Sequence, residues 1–94
     1  MRTIKYANAF KKDYKQVKVT PRHTQDVERL LNDVLRQLLE DSPLPTVYRD
    51  HALSGAWSGY RECHVTPDSL LIYMAADSGI LHLARLGSHS ELIG

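Results

Sequence analysis

The chain has 94 residues, 43% of them hydrophobic, and its 12 basic and 11 acidic residues give a net charge of +1. This length suits a single domain over residues 1–94 and leaves no room for separate catalytic and binding domains. One cysteine, Cys63, excludes an internal disulfide and favours a reducing compartment. Because the sequence also lacks a signal-peptide core and a membrane-length apolar run, we expect a soluble cytoplasmic protein.

The N-terminal part of the chain predicts a short strand and a basic helix. The strand is expected over residues 3–6 and the helix over residues 8–18, where apolar residues recur at helical spacing. Lys11, Lys15 and Lys18 recur at the same spacing and form a basic stripe beside the apolar one. The first 22 residues carry a charge of +6, and such a segment can bind phosphate although the total charge is near zero. Solvation of a lysine-rich helix face explains the same stripe more simply.

A second, longer helix is predicted over residues 25–41, with Thr24 as its N-cap. Its apolar residues follow the i, i+3, i+4, i+7 pattern of an amphipathic helix: Val27, Leu30, Leu31, Val34, Leu35, Leu38 and Leu39. Pro43 ends the pattern because proline disfavours helical geometry in the residue before it. The following stretch, to about Ser58, is rich in Pro, Gly and Ser and predicts a long functional loop.

The C-terminal half predicts three strands joined by tight turns. They are expected over residues 60–65, 70–76 and 80–86, with turns at Thr66-Pro67-Asp68-Ser69 and Asp77-Ser78-Gly79. Alternation along the first of these strands puts Glu62 and His64 on one face and Cys63 on the other. The order β-α-α-β-β-β predicts an α+β fold, an antiparallel sheet with two helices packed on one face.

Reactive side chains collect at the ends of these strands. His51 lies in the long loop, His64 at a strand end, Asp68 in the next turn and His89 after the last strand. Imidazoles titrate near neutral pH, so a cluster of them can supply both a base and an acid. Internal cleavage of RNA needs that pair: the base deprotonates the ribose 2′-OH, which attacks phosphorus, and the acid protonates the leaving 5′-oxygen. Cationic groups stabilise the added phosphate charge, and no metal is required.

Each of these residues also has a structural explanation. A single histidine is more often a surface or satisfied polar group than a catalyst, and turn chemistry alone accounts for Asp68 after Pro67. We interpret His82 as structural and Cys63 as a small core residue. No HxH or HExxH spacing supports a metal site, so neither a metal nor another cofactor is expected. From chemistry alone, RNA cleavage is one option among several.

The stretch Tyr48–Tyr73, YRDHALSGAWSGYRECHVTPDSLLIY, resembles the YafQ branch of the RelE family of bacterial toxins. The family pattern D-H-x-L-x-G-x-W-x-G-Y-R-x-x-H-V-x-P-D-x-L-[LI]-I-Y is met at every fixed position. The tail RLGSHSELIG, residues 85–94, is similar to the family ending R-x-G-[ST]-H-x-x-L-F-G. This resemblance implies a RelE-like fold.

In function, the resemblance implies a type II toxin, an endoribonuclease that enters the ribosomal A site and cuts mRNA. Its implied partners are the ribosome, mRNA and a cognate antitoxin that silences it, with DNA contacted only indirectly through the antitoxin. The family's catalytic positions fall on His51, His64, Asp68 and His89. His89 is the best candidate for protonating the leaving oxygen, while His64 and His51 would share base and transition-state roles and Asp68 would assist.

The resemblance also implies residues that bind substrate. Arg85 matches an arginine expected near the scissile phosphate, and the stripe of Lys11, Lys15 and Lys18 would face ribosomal RNA. Ile93 stands where the family has an aromatic residue, whose stacking on a base is worth about 1–3 kcal/mol. Since isoleucine cannot stack, we expect an altered codon preference or efficiency with the cleavage chemistry unchanged.

Two other functions fit the same fold. One is a non-catalytic toxin that poisons a protein such as DNA gyrase, as the ParE branch does. The other is a purely regulatory binding module. The placed histidine cluster favours the nuclease, because the ParE branch does not need one.

Overall fold

The computed structural model of the protein describes residues 2–18, 24–76 and 79–92, without the side chains of residues 24–26. The helices are α1 (Asn8–Lys18), α2 (Thr24–Leu39) and α3 (His89–Leu92). The strands are β1 (Thr3–Tyr6), β2 (His51–Ala52), β3 (Arg61–Thr66), β4 (Ser69–Ala75) and β5 (Ile80–Gly87). The α+β class and the predicted order of the longer elements are confirmed. Two 3-10 turns, Thr46–Tyr48 and Gly55–Trp57, together with β2 and α3, add structure where the sequence predicted only irregular chain.

All five strands form one sheet in the order β1-β5-β4-β3-β2. The meander β3-β4-β5 is antiparallel, as predicted, and β2 pairs antiparallel with β3 at one edge. β1 is the exception, because it runs parallel to β5 at the other edge. A tight turn forces neighbouring strands to be antiparallel, whereas two helices separate β1 from the strands that follow and leave its direction free.

One face of the sheet packs against α1 and α2, as predicted. The helices contribute Phe10, Leu31, Val34 and Leu38 to this core, and the strands contribute Cys63, Val65, Leu71, Tyr73, Leu81, Leu83 and Leu86. Cys63 is fully buried, which confirms it as a core residue, and this burial raises the pKa of its thiol to about 12. Glu62 and His64 lie on the opposite side of the sheet, which we call the second face.

The second helix ends two residues earlier than predicted, at Leu39. Asp41 adopts a left-handed conformation (φ 56°), and the Ser42 N–H turns back to donate to the Gln37 carbonyl at 2.9 Å. This geometry closes the last turn before Pro43 is reached. The Arg2 guanidinium also donates at 2.7 Å to the Leu38 carbonyl, which accepts the Asp41 N–H at 3.2 Å as well, so the residue before β1 is tied to the helix end. The predicted N-cap role of Thr24 falls on a side chain outside the described set.

Among the residues that the structure describes, no helix combines the length and the apolar character needed to cross a bilayer.

Leu83, at the centre of β5, is fully buried between the sheet and the helices. Leu83→Ala is expected to lower the free energy of unfolding by about 2–5 kcal/mol, because it removes buried methyl groups and leaves a cavity. Val47→Ala is the control: Val47 is 76% exposed, and its truncation is expected to change stability by about 0.5 kcal/mol or less. Urea titrations followed by circular dichroism measure both, and equal losses would contradict this description of the core.

Candidate active site

The strand register places His64 in a row that crosses three strands of the second face. His64 in β3 lies opposite Leu70 in β4, and Leu70 lies opposite Gly87 in β5. With strands about 4.8 Å apart, the row spans about 10 Å. His89 follows Gly87 by two residues, at the first position of α3. The start of α3 therefore lies at the same end of the sheet as His64, two strands away across β4.

A second row lies one side-chain repeat, about 7 Å, further along the same strands. Here His51 in β2 pairs with Glu62 in β3, and Glu62 pairs with Ile72 in β4. Ile72 in turn lies opposite Arg85 in β5. The register thus brings His51, His64, Arg85 and the start of α3 to one end of the sheet.

His51 contacts two hydrogen-bond acceptors, one at each ring nitrogen. Its Nδ1 lies 2.9 Å from the carbonyl oxygen of Arg49, and because that oxygen can only accept, Nδ1 must carry a proton. Its Nε2 lies 3.5 Å from Oε1 of Glu62. These two contacts hold the imidazole in a fixed orientation. The side chain is half exposed, so one side of the ring stays open to solvent.

Glu62 is a member of this site that the sequence did not predict as functional. It is only 3% exposed, and its Oε2 is buried without a hydrogen-bond partner among residues 2–18, 24–76 and 79–92. A buried unpaired carboxylate oxygen is costly, so such atoms call for a functional explanation. The sequence feature that could have identified Glu62 is the alternation along β3, which puts Glu62 and His64 on the same face, away from the core.

Asp68 occupies the two-residue turn between β3 and β4, as predicted. Its carboxylate is exposed, and its own N–H donates to the Thr66 hydroxyl at 3.3 Å. The pairing of β3 with β4 shifts register between His64 and Thr66, which bends the strand just before the turn. Asp68 therefore lies at the end of the strand that carries His64, with its carboxylate exposed to solvent.

His89 is fixed by a capping box at the start of α3. The Glu91 N–H donates to the Ser88 hydroxyl at 3.3 Å, and the Ser88 N–H donates to the Glu91 carboxylate at 3.0 Å. The hydrogen bond from the Ser88 backbone N–H, with a smaller contribution from the Ser88 side chain, lowers the pKa of Glu91. A β-carbon at Gly87 would lie 3.3 Å from the Glu91 carboxylate and 3.4 Å from Leu92, so glycine lets α3 fold back closely on β5. His89 itself is exposed.

Arg85 is held by a carboxylate from α1 that the sequence did not single out. Its Nε and Nη2 donate to the two oxygens of Asp13 at 2.7 and 3.1 Å, and Asp13 also accepts the Leu86 N–H at 3.0 Å. This pairing raises the pKa of Arg85. Since β1 pairs with β5 only as far as Leu83, Asp13 covers a backbone donor on the exposed edge beyond it.

The structure describes the three lysines that are predicted to bind the ribosome, but it does not describe Ile93. Lys11, Lys15 and Lys18 are exposed along α1, and the Lys18 ammonium lies 5.2 Å from the centre of the Tyr14 ring. Ile93 lies outside the described residues.

No three His, Cys, Asp or Glu side chains within the described ranges converge in a way that would hold a metal ion.

The fold is a small α+β domain of the RelE-like type. A family model described as a bacterial toxin of a type II toxin–antitoxin system, YafQ, matches residues 2–94. The mRNA interferase toxin YafQ of Escherichia coli strain K12 is 39% identical over 93 residues, which are 99% of this chain and 97% of that protein. The chain belongs to the YafQ family of type II toxins. It is an mRNA interferase, that is, an endoribonuclease.

Two solved structures show the same fold. The E. coli DinJ–YafQ complex contains a chain with 39% identity and a TM-score of 0.85, with 100% of both chains covered. The crystal structure of a metal-bound toxin from Helicobacter pylori gives 40% identity and a TM-score of 0.84, covering 99% of this chain and 100% of that one.

Asp13→Ala is expected to lower the free energy of unfolding by about 1–3 kcal/mol, because the Leu86 N–H loses its partner. Asp13→Asn keeps an acceptor for that N–H, so its loss is expected to be smaller. The matched control is Arg36→Ala, which breaks the exposed pair with Asp33 and is expected to cost about 0.5 kcal/mol or less. Chemical denaturation measures all three, and an Asp13→Ala loss no larger than the control's would show that Asp13 does not anchor this edge.

Proposed function

We propose that this toxin cleaves mRNA in the ribosomal A site, with the second face of the sheet against the RNA. The observation that carries the proposal is the His51–Glu62 pair, which joins β2 to β3 one side-chain repeat from His64 and lies at the same sheet end as His89. Two groups that exchange protons and a third that neutralises charge are what 2′-OH attack on phosphorus requires. The E. coli relative's name, mRNA interferase, supports the same reaction class.

His64 is the base in this proposal. Its side chain is half-buried and makes no hydrogen bond within the described part of the chain, so a ring nitrogen is free to take the 2′-OH proton. His51 is less suited to that task, because both of its nitrogens already face acceptors. When it is protonated, His51 pairs through Nε2 with the buried Glu62 carboxylate and can present positive charge to the phosphate.

His89 is the acid that protonates the leaving 5′-oxygen. It is exposed, yet the capping box fixes the turn that carries it, so the imidazole can approach the RNA from a defined position. Asp68, with an exposed carboxylate in the turn that follows the strand of His64, assists the reaction. Arg85 contacts the scissile phosphate through Nη1, since Asp13 engages Nε and Nη2.

Docking on the ribosome is assigned to the exposed stripe of Lys11, Lys15 and Lys18, which can neutralise RNA phosphates. The partner that silences the toxin is an antitoxin, as the E. coli relative's complex with DinJ suggests. Binding to promoter DNA occurs through that antitoxin. The site of action is the cytoplasm, where ribosomes translate mRNA.

The experiment is primer-extension mapping of cut sites on an mRNA under translation, with wild type and His89→Ala side by side. Loss of the acid is expected to slow cleavage by about 10²–10⁴-fold. Cleavage is expected to leave 2′,3′-cyclic phosphate ends, which are the product of 2′-OH attack on phosphorus. His82→Ala is the matched control, because this half-buried histidine lies in the middle of β5 and has no assigned role.

Two results would overturn the proposal: full activity of His89→Ala, or equal cleavage of the same mRNA without ribosomes. Inhibition of DNA supercoiling without RNA cleavage would instead favour the gyrase-poisoning alternative.

A further inference from the structure

Asp50, which immediately precedes His51, is held by side chains from two other strands. The Tyr73 hydroxyl of β4 donates to its Oδ1. Arg61 of β3 donates from Nε to Oδ2 at 3.1 Å, and Nη2 of the same guanidinium lies 3.0 Å from Oδ2. We call these three residues the Asp50 clamp.

The strongest contact of the Asp50 clamp is the hydrogen bond from the Tyr73 hydroxyl to Asp50, because it is the more buried of the two. Tyr73 is 2% exposed and the Asp50 side chain is 24% exposed, whereas the Arg61 side chain is 44% exposed. Burial, followed by the hydrogen bond to Asp50, raises the pKa of Tyr73, so its hydroxyl keeps its proton and donates at neutral pH. The Arg61 pair is screened by solvent and contributes less.

The side chains of the Asp50 clamp lie on the opposite side of the sheet from the His51 side chain. Ala52 pairs with Arg61, and Arg61 pairs with Tyr73, so these positions share the face that packs against the helices. His51 pairs with Glu62 on the second face. Because successive residues of a strand alternate between faces, fixing the backbone from the helix side fixes the direction of the His51 side chain.

His51 needs such support because little else holds its backbone. β2 contains only two residues, and Arg49 just before it has a left-handed φ of 51°, which is uncommon for a residue other than glycine. That conformation turns the Arg49 carbonyl toward Nδ1 of the imidazole. If the segment moved, His51 would lose both the Arg49 carbonyl and the Glu62 carboxylate.

We propose that Asp50 is a positioning residue for RNA cleavage: the clamp holds His51 between the Arg49 carbonyl and Glu62. This inference rests on the proposed role of His51. It also gives a purpose to Asp50, Arg61 and Tyr73, all three of which are fixed positions of the pattern in Tyr48–Tyr73 and none of which has a reactive role in the cleavage.

The test compares Asp50→Ala, Asp50→Asn and Tyr73→Phe, each alone and combined with His51→Ala. In a reconstituted translation reaction, corrected for folded protein by circular dichroism, Asp50→Ala is expected to lower kcat about 10- to 100-fold with little change in KM. Asp50→Asn retains an acceptor for the Tyr73 hydroxyl and is expected to fall between Asp50→Ala and wild type. In the His51→Ala background, the clamp variants are expected to cause no further loss, because they act through that imidazole.

Tyr14→Phe is the matched control. Like Tyr73→Phe, it removes a tyrosine hydroxyl that donates to a carboxylate, here Oε1 of Glu28 at 3.2 Å, and it keeps the aromatic ring. This hydrogen bond joins α1 to α2, away from His51, so cleavage is expected to match wild type.

A second measurement, nitrogen NMR, tests directly whether the Asp50 clamp positions His51, whatever role His51 has in cleavage. Nitrogen NMR of histidine-labelled protein is expected to show a protected Nδ1–H on His51 in wild type and in Tyr14→Phe, and its loss in Asp50→Ala. The inference would be overturned if the Asp50 and Tyr73 variants lowered kcat equally in the wild-type and His51→Ala backgrounds. An unchanged Nδ1–H signal in Asp50→Ala would also overturn it. Full activity of His51→Ala with loss of the signal in Asp50→Ala would instead overturn the proposed role of His51.

Discussion

The register of β3 against β4 is the constraint on which the site depends. Because side chains alternate along a strand, the register that buries Cys63 in the helix-side core places Glu62 and His64 on the second face. A slip of one residue would drive a carboxylate and an imidazole into the core and expose the thiol. The hydrophobic core therefore specifies the positions of the reactive groups as well as the stability of the sheet.

The same constraint explains why much of the fold could be predicted from the sequence. The two helix periodicities and the alternation in β3 are local patterns, and each was confirmed by the burial of Phe10, Val34 and Cys63. The direction of β1 could not be predicted, because no tight turn ties it to β5. The early end of α2 depends on the left-handed conformation of Asp41, which the sequence pattern did not single out.

For the site, the histidines could be selected from their positions at strand ends and from the family resemblance, but their partners could not. Asp13 lies 72 residues from Arg85 in sequence, and Asp50 lies 23 residues from Tyr73. Only tertiary folding brings such pairs together, and nothing in the local pattern distinguishes these carboxylates from solvated ones. Burial is what separates Glu62 from an ordinary surface glutamate, and it follows from the completed sheet.

The central claim, that His89 protonates the leaving oxygen, is tested most directly by an mRNA whose scissile 5′-oxygen is replaced by sulfur. A thiol has a pKa of about 8.5, far below that of an alcohol, so a thiolate departs without an acid. On programmed ribosomes, His89→Ala is predicted to lose about 10²–10⁴-fold on the oxygen substrate and less than about tenfold on the sulfur substrate. Equal losses on the two substrates would contradict the assignment of His89 as the acid.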